Sequence, residues 1–496
     1  MFHRRYQRVD ARRRSDERRA LACRSGLMRC VLVSAIITCT SSFAGAATTD
    51  SPAIRSTATE ASTPTPLSDH GTFRYDAEYP VVAYAETPSQ NAIARLQQRL
   101  QRGEVQLKYE PPRGYLDSVL AVLDIAPGSQ TLVYSKTSLQ YNLISSRTPR
   151  AVYFNDDTYI AWIPATRFLE IATMDSALGP VFYTLSNVSP TELRIDRETS
   201  RCLTCHDTWG MAGGGVPRFL FLSTLVEATG ESLSGHPGDD TTDHTPIRDR
   251  WAGWYVTGQH GRQQHLGNIL AEAGTDLSQV DSLRRGNIDT VSGLFDAGAY
   301  LTKTSDIVAL LIFEHQSYIE NLVTRANFKS RTLLAGTQRA GGSSPGWASL
   351  APDVRKRMKG MLEPLVQAML FVNATALTDT ITSTSGYDKW FQARGPRDSR
   401  GRSLRDFDLR TRLFKYPLSY VVYSEGFDGL PAEAREYVYM RLADILTGRD
   451  QSATFSFISA DQRRTLLEIL TATKPPFAAS ARQRSAECEQ GDCDNT

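Results

Sequence analysis

Apolar residues along the chain change their period twice. Past residue 74 they recur at helical spacing, over 91–101 and again over 114–125. They then crowd into short runs rich in β-branched and aromatic residues at 131–135, 151–155, 159–163, 168–173 and 180–187. Asn155, Asp156 and Asp157 separate two of these runs in the manner of a hairpin turn. From about Lys303 the helical period returns. Ser305 stands as the cap of a helix carrying Ile307, Leu310, Leu311, Tyr318 and Leu322, and further helices are predicted over 353–370, 431–446 and 460–470. Ser459 and Gln462 form a capping box for the last of these, and Pro475-Pro476 stops it. The pattern predicts an α+β protein with a β-rich N-terminal part and a mostly α-helical C-terminal half. Between them residues 192–201 are too polar for a buried strand, and glycines 213–215 lead into a strand pair turning near Thr229-Gly230.

The first 73 residues follow neither period. An Arg-rich stretch precedes a short apolar run at 31–37, and Ala44-Gly45-Ala46 ends it as a small-residue cleavage site, so residues 1–46 read as a secretory signal with Met28 as an alternative start. Cys39 is the weaker alternative, a lipid anchor, because Thr38 is a poor residue before it. Residues 47–73, rich in Ser, Thr, Pro and Ala, read as a disordered linker. The remainder divides into a mixed α/β domain over 74–198, a middle region over 199–300, a helical region over 301–478 and a polar tail over 479–496. The chain holds 56 Lys and Arg against 54 Asp and Glu, net +2. Residues 1–46 take ten arginines and three acids with them, which turns the balance to −5. That balance offers no basic surface to nucleic acid, and no apolar run after the signal is long enough to span a membrane. A periplasmic or secreted product is expected.

The middle region carries the most specific chemistry, Cys202-Leu203-Thr204-Cys205-His206. Cys-x-x-Cys-His attaches a c-type haem: each thiol forms a thioether with the porphyrin and the histidine ligates the iron. A redox dithiol would want a βαβ context, and a zinc site two further ligands, for which His236 and His244 lie too far downstream. Three other cysteines, Cys23, Cys30 and Cys39, leave with the signal; Cys488 and Cys493 either close a small loop in the tail or stay unbridged. On the motif the chain resembles the c-type cytochromes. The segments GWYVTGQHG at 253–261, EHQ at 314–316 and LFKYPLSYVVYSEGFD at 413–428 extend this to a resemblance to large secreted bacterial monohaem cytochromes c. The resemblance implies one covalent haem c on Cys202 and Cys205, His206 as axial iron ligand, and electron transfer to a redox partner protein. The chain departs from small cytochromes, whose motif lies near the mature N-terminus and is followed at moderate distance by a methionine. Here only Met211 stands between the motif and residue 357.

The sixth position on the iron then decides between carrier and catalyst. Every histidine of the processed chain except His70 lies between 206 and 315. His260 and His265, beside glycines and near Trp251, Trp254 and Tyr255, are candidates for the sixth ligand or for distal acid–base work, with Trp251 and Trp254 walling the haem. His315 is a third candidate, although its helical stripe with Leu311, Tyr318 and Leu322 faces the interior. Met358, Met361, Met369 and Met440 sit in apolar stripes suited to packing. Arg218, Arg248 and Arg250 are candidate partners of the haem propionates. Asp239, Asp240 and Asp243 could bind calcium but lack a twelve-residue loop pattern. An open iron would instead make a haem peroxidase or oxidase consuming a small-molecule oxidant, with His260 or His265 as acid–base and Arg248 or Arg250 stabilising negative charge. A haem-bearing sensor or partner-binding protein is the third reading.

Overall fold

The computed structural model describes residues 79–207, 216–233, 238–336 and 346–489. Residues 1–46 and 47–73, read above as signal and linker, Met211, glycines 213–215, His236 and Cys493 lie outside them. Cys488 is disulfide-bonded. Among the described residues the chain is an α+β protein with one large antiparallel sheet in its first part and helices mostly in its C-terminal half.

Helices α1 (Ala92–Gln101) and α2 (Leu116–Val122) precede the strands, as their period predicts. Strands β1 (Thr131–Val133), β2 (Arg150–Phe154), β3 (Thr158–Trp162), β4 (Phe168–Asp175) and β5 (Gly179–Ser186) follow, and β2 and β3 form the hairpin around residues 155–157. β6 (Ile195–Glu198) is a strand despite its polar sequence. It pairs only with β5 at the sheet edge, where three of its four residues stay half-exposed and no apolar alternation is needed. The motif helix α3 (Leu203–His206) comes directly after it. Two short strands, β7 (Leu222–Ser223) and β8 (Asp239–Asp240), pair with each other, while a bridge from Val226 to Ser232 closes the turn at Gly230. The two-residue strand β9 (Trp254–Tyr255) joins β1 at the far edge, so the large sheet runs β6-β5-β4-β3-β2-β1-β9.

The 29-residue helix α4 (Ile307–Ala335) packs on one face of this sheet, with Phe313 against Phe154 and Tyr159. Its cap is Asp306, whose carboxylate accepts from the backbone of Val308 and Ala309. Ser305, the expected cap, is one residue early: its hydroxyl accepts from Leu132 N–H and donates to the Tyr255 carbonyl, bridging β1 and β9. Around α4 lie α5 (Pro352–Met369), α6 (Tyr387–Ala393), α7 (Glu425–Asp428), α8 (Ala432–Leu446), α9 (Ala460–Thr473) and α10 (Pro475–Glu489). The capping box of Ser459 and Gln462 is present on α9. The two prolines end α9 but also start α10, since proline suits the first turn of a helix, and the polar tail begins as that helix. No helix among the described residues is long and apolar enough to cross a membrane.

Gly179 shows how tightly sheet and helix are fitted. It opens β5 at φ +65°, and a Cβ there would lie 2.3 Å from Cγ2 of Thr324 on α4. Gly179→Ala therefore combines backbone strain with a clash and should cost more than about 2 kcal/mol. A urea midpoint equal to the wild type would refute this fit.

Candidate functional site

The motif is built from the sheet edge upward. Glu198, the last residue of β6, accepts from Thr184 Oγ1 on β5 and forms an ion pair with Arg201, which fixes the turn into α3. Within the motif His206 N–H donates to the Cys202 carbonyl at 3.0 Å, so Cys202, Cys205 and His206 occupy one helical turn. Neither Cys202 nor Cys205 is disulfide-bonded. Cys205 is exposed. Cys202 is half-buried against the core, and burial, followed by the charges of Glu198 and Glu170, pushes its thiol up to about 12. A redox dithiol needs a lowered thiol pKa, which makes this a poor one.

His206 is held on two sides. Its Nδ1 lies 2.7 Å from the Arg218 carbonyl oxygen, and Arg218 N–H donates back to the His206 carbonyl at 3.1 Å. Its ring packs on Phe182 of β5 at 4.5 Å. Phe182 stands in register with Ala172, Tyr159 and Phe154 across four strands. The imidazole retains some exposed surface, yet the packing around it pushes its pKa down to about 4. Since a carbonyl only accepts, the proton sits on Nδ1 and the lone pair is left on Nε2.

Arg218 is placed in turn by the next residue. Phe219 N–H donates to Asn321 Oδ1 at 2.8 Å and the Asn321 amide donates to the Phe219 carbonyl at 2.9 Å, tying this strand-like segment to α4. Asn321→Ala should remove both bonds at a cost of about 1–3 kcal/mol. It should also let water reach His206, so that in the haem-free protein its pKa, followed by NMR, rises from about 4 toward the ordinary imidazole range. An unmoved titration would show that the Arg218 carbonyl is held by other contacts.

Beside the motif a cavity of about 290 Å³ is lined by Thr184, Ser186, Phe168, Arg167, Arg194 and Arg201. Three arginines there face two carboxylates, Glu192 and Asp196, and Arg194 and Arg201 are ion-paired with Asp196 and Glu198. Of these only Arg201, next to Cys202, could have been found from sequence; Arg167 and Arg194 arrive through the fold of β4 and the turn before β6.

The other nominated residues are distributed elsewhere. Arg218 adjoins His206 through its backbone, and its side chain is ion-paired with Asp240 at 3.0 Å. Arg250 is buried on Glu314 at 2.6 Å, and Arg248 is exposed beside Asp281. Trp254 stacks on Phe221 and donates to the Leu222 carbonyl, while Trp251 packs against His265. His260 and His265 follow β9, at the opposite sheet edge from β5 and β6, where the motif sits. Five strand spacings separate β5 from β9, on the order of 24 Å. Asp240 and Asp243 face Arg218 and His315, and Asp239 is exposed, so the three aspartates do not converge on a calcium ion. Met358, Met369 and Met440 are buried in the core and Met361 packs against it.

His315 is hydrogen-bonded at both nitrogens, to Asp243 Oδ2 at 2.7 Å and Ser419 Oγ at 2.9 Å. This has the connectivity of a hydrolytic triad. However, Ser419 is fully buried, its Oγ also accepts from Val421 N–H, and Phe371 stacks on the imidazole at 4.7 Å. No substrate could reach the hydroxyl in this arrangement, which clamps three distant segments together in the core. No family model, curated protein or solved structure matches the chain.

Proposed function

We propose that this chain is an exported monohaem c-type cytochrome that transfers electrons, with haem c bound through Cys202 and Cys205 and with His206 as axial ligand. The observation that carries this reading is the tethering of His206: Nδ1–H donates to a backbone carbonyl and leaves the Nε2 lone pair free to ligate, the arrangement that orients metal-bound histidines. The residues fit the group in other respects. Two thiols and the imidazole share one turn, Phe182 gives the ring an apolar wall, and burial keeps the imidazole neutral and therefore able to bind a metal. Of the arginines that line the cavity beside the motif, Arg194 and Arg201 are ion-paired with Asp196 and Glu198, so Arg167 is the one we assign to a haem propionate, ahead of Arg248 and Arg250, which pair with Asp281 and Glu314 in other parts of the fold.

When bound, the haem supplies a one-electron couple. The protein would hold it rigidly, because the sheet edge, the Arg218 carbonyl and α4 all converge on the motif. His260 and His265, nominated as sixth ligand or for distal acid–base work, both follow β9 and supply neither role beside the motif, so the spin state of the ferric iron decides between carrier and catalyst. The partner would be a redox protein reached from outside the cytoplasm.

The test is the purified protein, produced with haem c maturation in the periplasm. One iron per chain, a haem stain that survives denaturing electrophoresis and a low-spin ferric paramagnetic resonance spectrum are expected. Absence of covalent haem would overturn the reading, and a high-spin spectrum would replace electron transfer with an open iron.

A further inference from the structure

Four buried nitrogen atoms meet where the chain leaves β9. His265 is fully buried and neither of its ring nitrogens has a hydrogen-bond partner; Nε2 of His260 and Nε1 of Trp251 are likewise buried without one. The two imidazoles have centroids 4.6 Å apart at 67°, and the Trp251 ring stands 5.5 Å from His265. Each unsatisfied buried group costs about 1–3 kcal/mol, so four together call for something that satisfies them.

The protonation pattern limits what that is. Nδ1 of His260 lies 2.6 Å from the Gln263 carbonyl oxygen and so carries the proton, leaving the Nε2 lone pair unused. Neutral His265 has one lone pair and one N–H. Burial lowers the pKa of both, that of His265 to about 3, so both stay neutral. The backbone is shaped around the pair. Gly258 and Gly261 flank His260 at positive φ, and a Cβ on Gly267 would lie 2.2 Å from Val256 Cγ2 and 3.0 Å from His265 Nδ1. A metal ion about 2.0–2.1 Å from one nitrogen of each ring would place the ring centroids about 5.2 Å apart at a tetrahedral angle and about 4.5 Å apart at a right angle. The observed 4.6 Å matches the right angle of two neighbouring ligands in the tetragonal geometry that copper(II) prefers.

We propose that His260 and His265 hold a single copper ion, at a site separate from the Cys202–His206 motif. Neutral nitrogen donors without a carboxylate suit copper, zinc or nickel rather than magnesium, calcium or manganese, and copper leads the affinity order. Among the described residues no third His, Cys, Asp or Glu joins the pair. The remaining positions fall to water or a small exogenous ligand. The site is independent of the haem.

The full-length exported protein is equilibrated with copper(II), desalted and analysed for metals. About one copper per chain is expected in addition to any iron, with nitrogen hyperfine structure from two imidazoles. His260→Asn and His265→Asn should each reduce retained copper at least tenfold, and His244→Asn, at an exposed histidine, should not. Copper no higher in the wild type than in the double variant overturns the proposal and means that water alone satisfies the four nitrogens, donating to the lone pairs and accepting from Trp251. If the variants do not fold, the wild-type spectrum decides: a copper signal without two imidazole nitrogens overturns it. Iron content and haem stain are read separately, so a chain that binds copper here without haem overturns only the cytochrome reading.

Discussion

Arg250→Met should destabilise the protein by about 3–5 kcal/mol, the usual result of leaving one member of a buried ion pair without the other. Arg250 is 3% exposed and Glu314 is fully buried. The guanidinium donates to Glu314 Oε2 at 2.6 Å, to the Thr245 carbonyl at 2.7 Å and to the Asp243 carbonyl at 3.1 Å. Methionine fills similar volume but satisfies none of these acceptors. The loss should be read from urea unfolding at neutral pH, and a change below about 1 kcal/mol would show that water replaces the guanidinium. Arg250→Met combined with Glu314→Leu should recover much of it, because no buried carboxyl is then left without its partner. The same pair sets a pH dependence. Burial, opposed by Arg250, raises Glu314 from 4.5 to about 7. The unfolded chain therefore releases this proton near 4.5 and the folded chain near 7, so between those values the folded state binds more protons and stability falls as pH rises. The fall amounts to about 3 kcal/mol by pH 8 at 1.36 kcal/mol per unit, and should be missing in Glu314→Gln when the two proteins are compared across pH 5 to 8. Parallel curves for the two would exclude Glu314 as the titrating group.

What could be read from the sequence was what local contacts decide. β2, β3 and β5 are buried along almost their whole length, so their apolar runs announce them. The motif was legible for the same reason, because Cys202, Cys205 and His206 need only one turn of helix to come together. β6 was not, since an edge strand carries no apolar alternation; nor was β9, two residues long and identified only by its pairing with β1. The cap of α4 moved from Ser305 to Asp306 because the serine hydroxyl is taken by β1 and β9. Partners far apart in sequence were invisible. His206 is tethered by Arg218 through its backbone carbonyl, and His315 reaches Asp243 and Ser419, 72 and 104 residues away. The arginines differ for this reason: guanidinium chemistry nominated Arg218, Arg248 and Arg250, of which only Arg218 adjoins the motif, whereas the sheet brings Arg167 and Arg194 beside it.

Cys202→Ala with Cys205→Ala should abolish covalent haem altogether, while each single variant keeps attachment through the remaining thiol. The two cysteines differ in a way that separates chemistry from folding. Cys202 packs against the core, so its removal should cost about 1 kcal/mol in the haem-free chain, roughly one buried methylene-sized group. Cys205 is exposed, and its removal should leave the haem-free urea midpoint unchanged. Weaker haem retention in Cys205→Ala therefore cannot come from a damaged fold. The thiols should also differ in reactivity. With Cys202 pushed up to about 12, alkylation near pH 8 should be slow at Cys202 and faster at exposed Cys205 in the haem-free protein. Equal rates would mean that the motif opens to solvent before haem is attached, and that the sheet edge and the Arg218 tether do not preorganise it. A double variant that still stains for haem after denaturation would remove the thioether assignment. One that folds with haem bound only reversibly would leave His206 as the ligand and make the two thioethers a means of retaining the cofactor outside the cell.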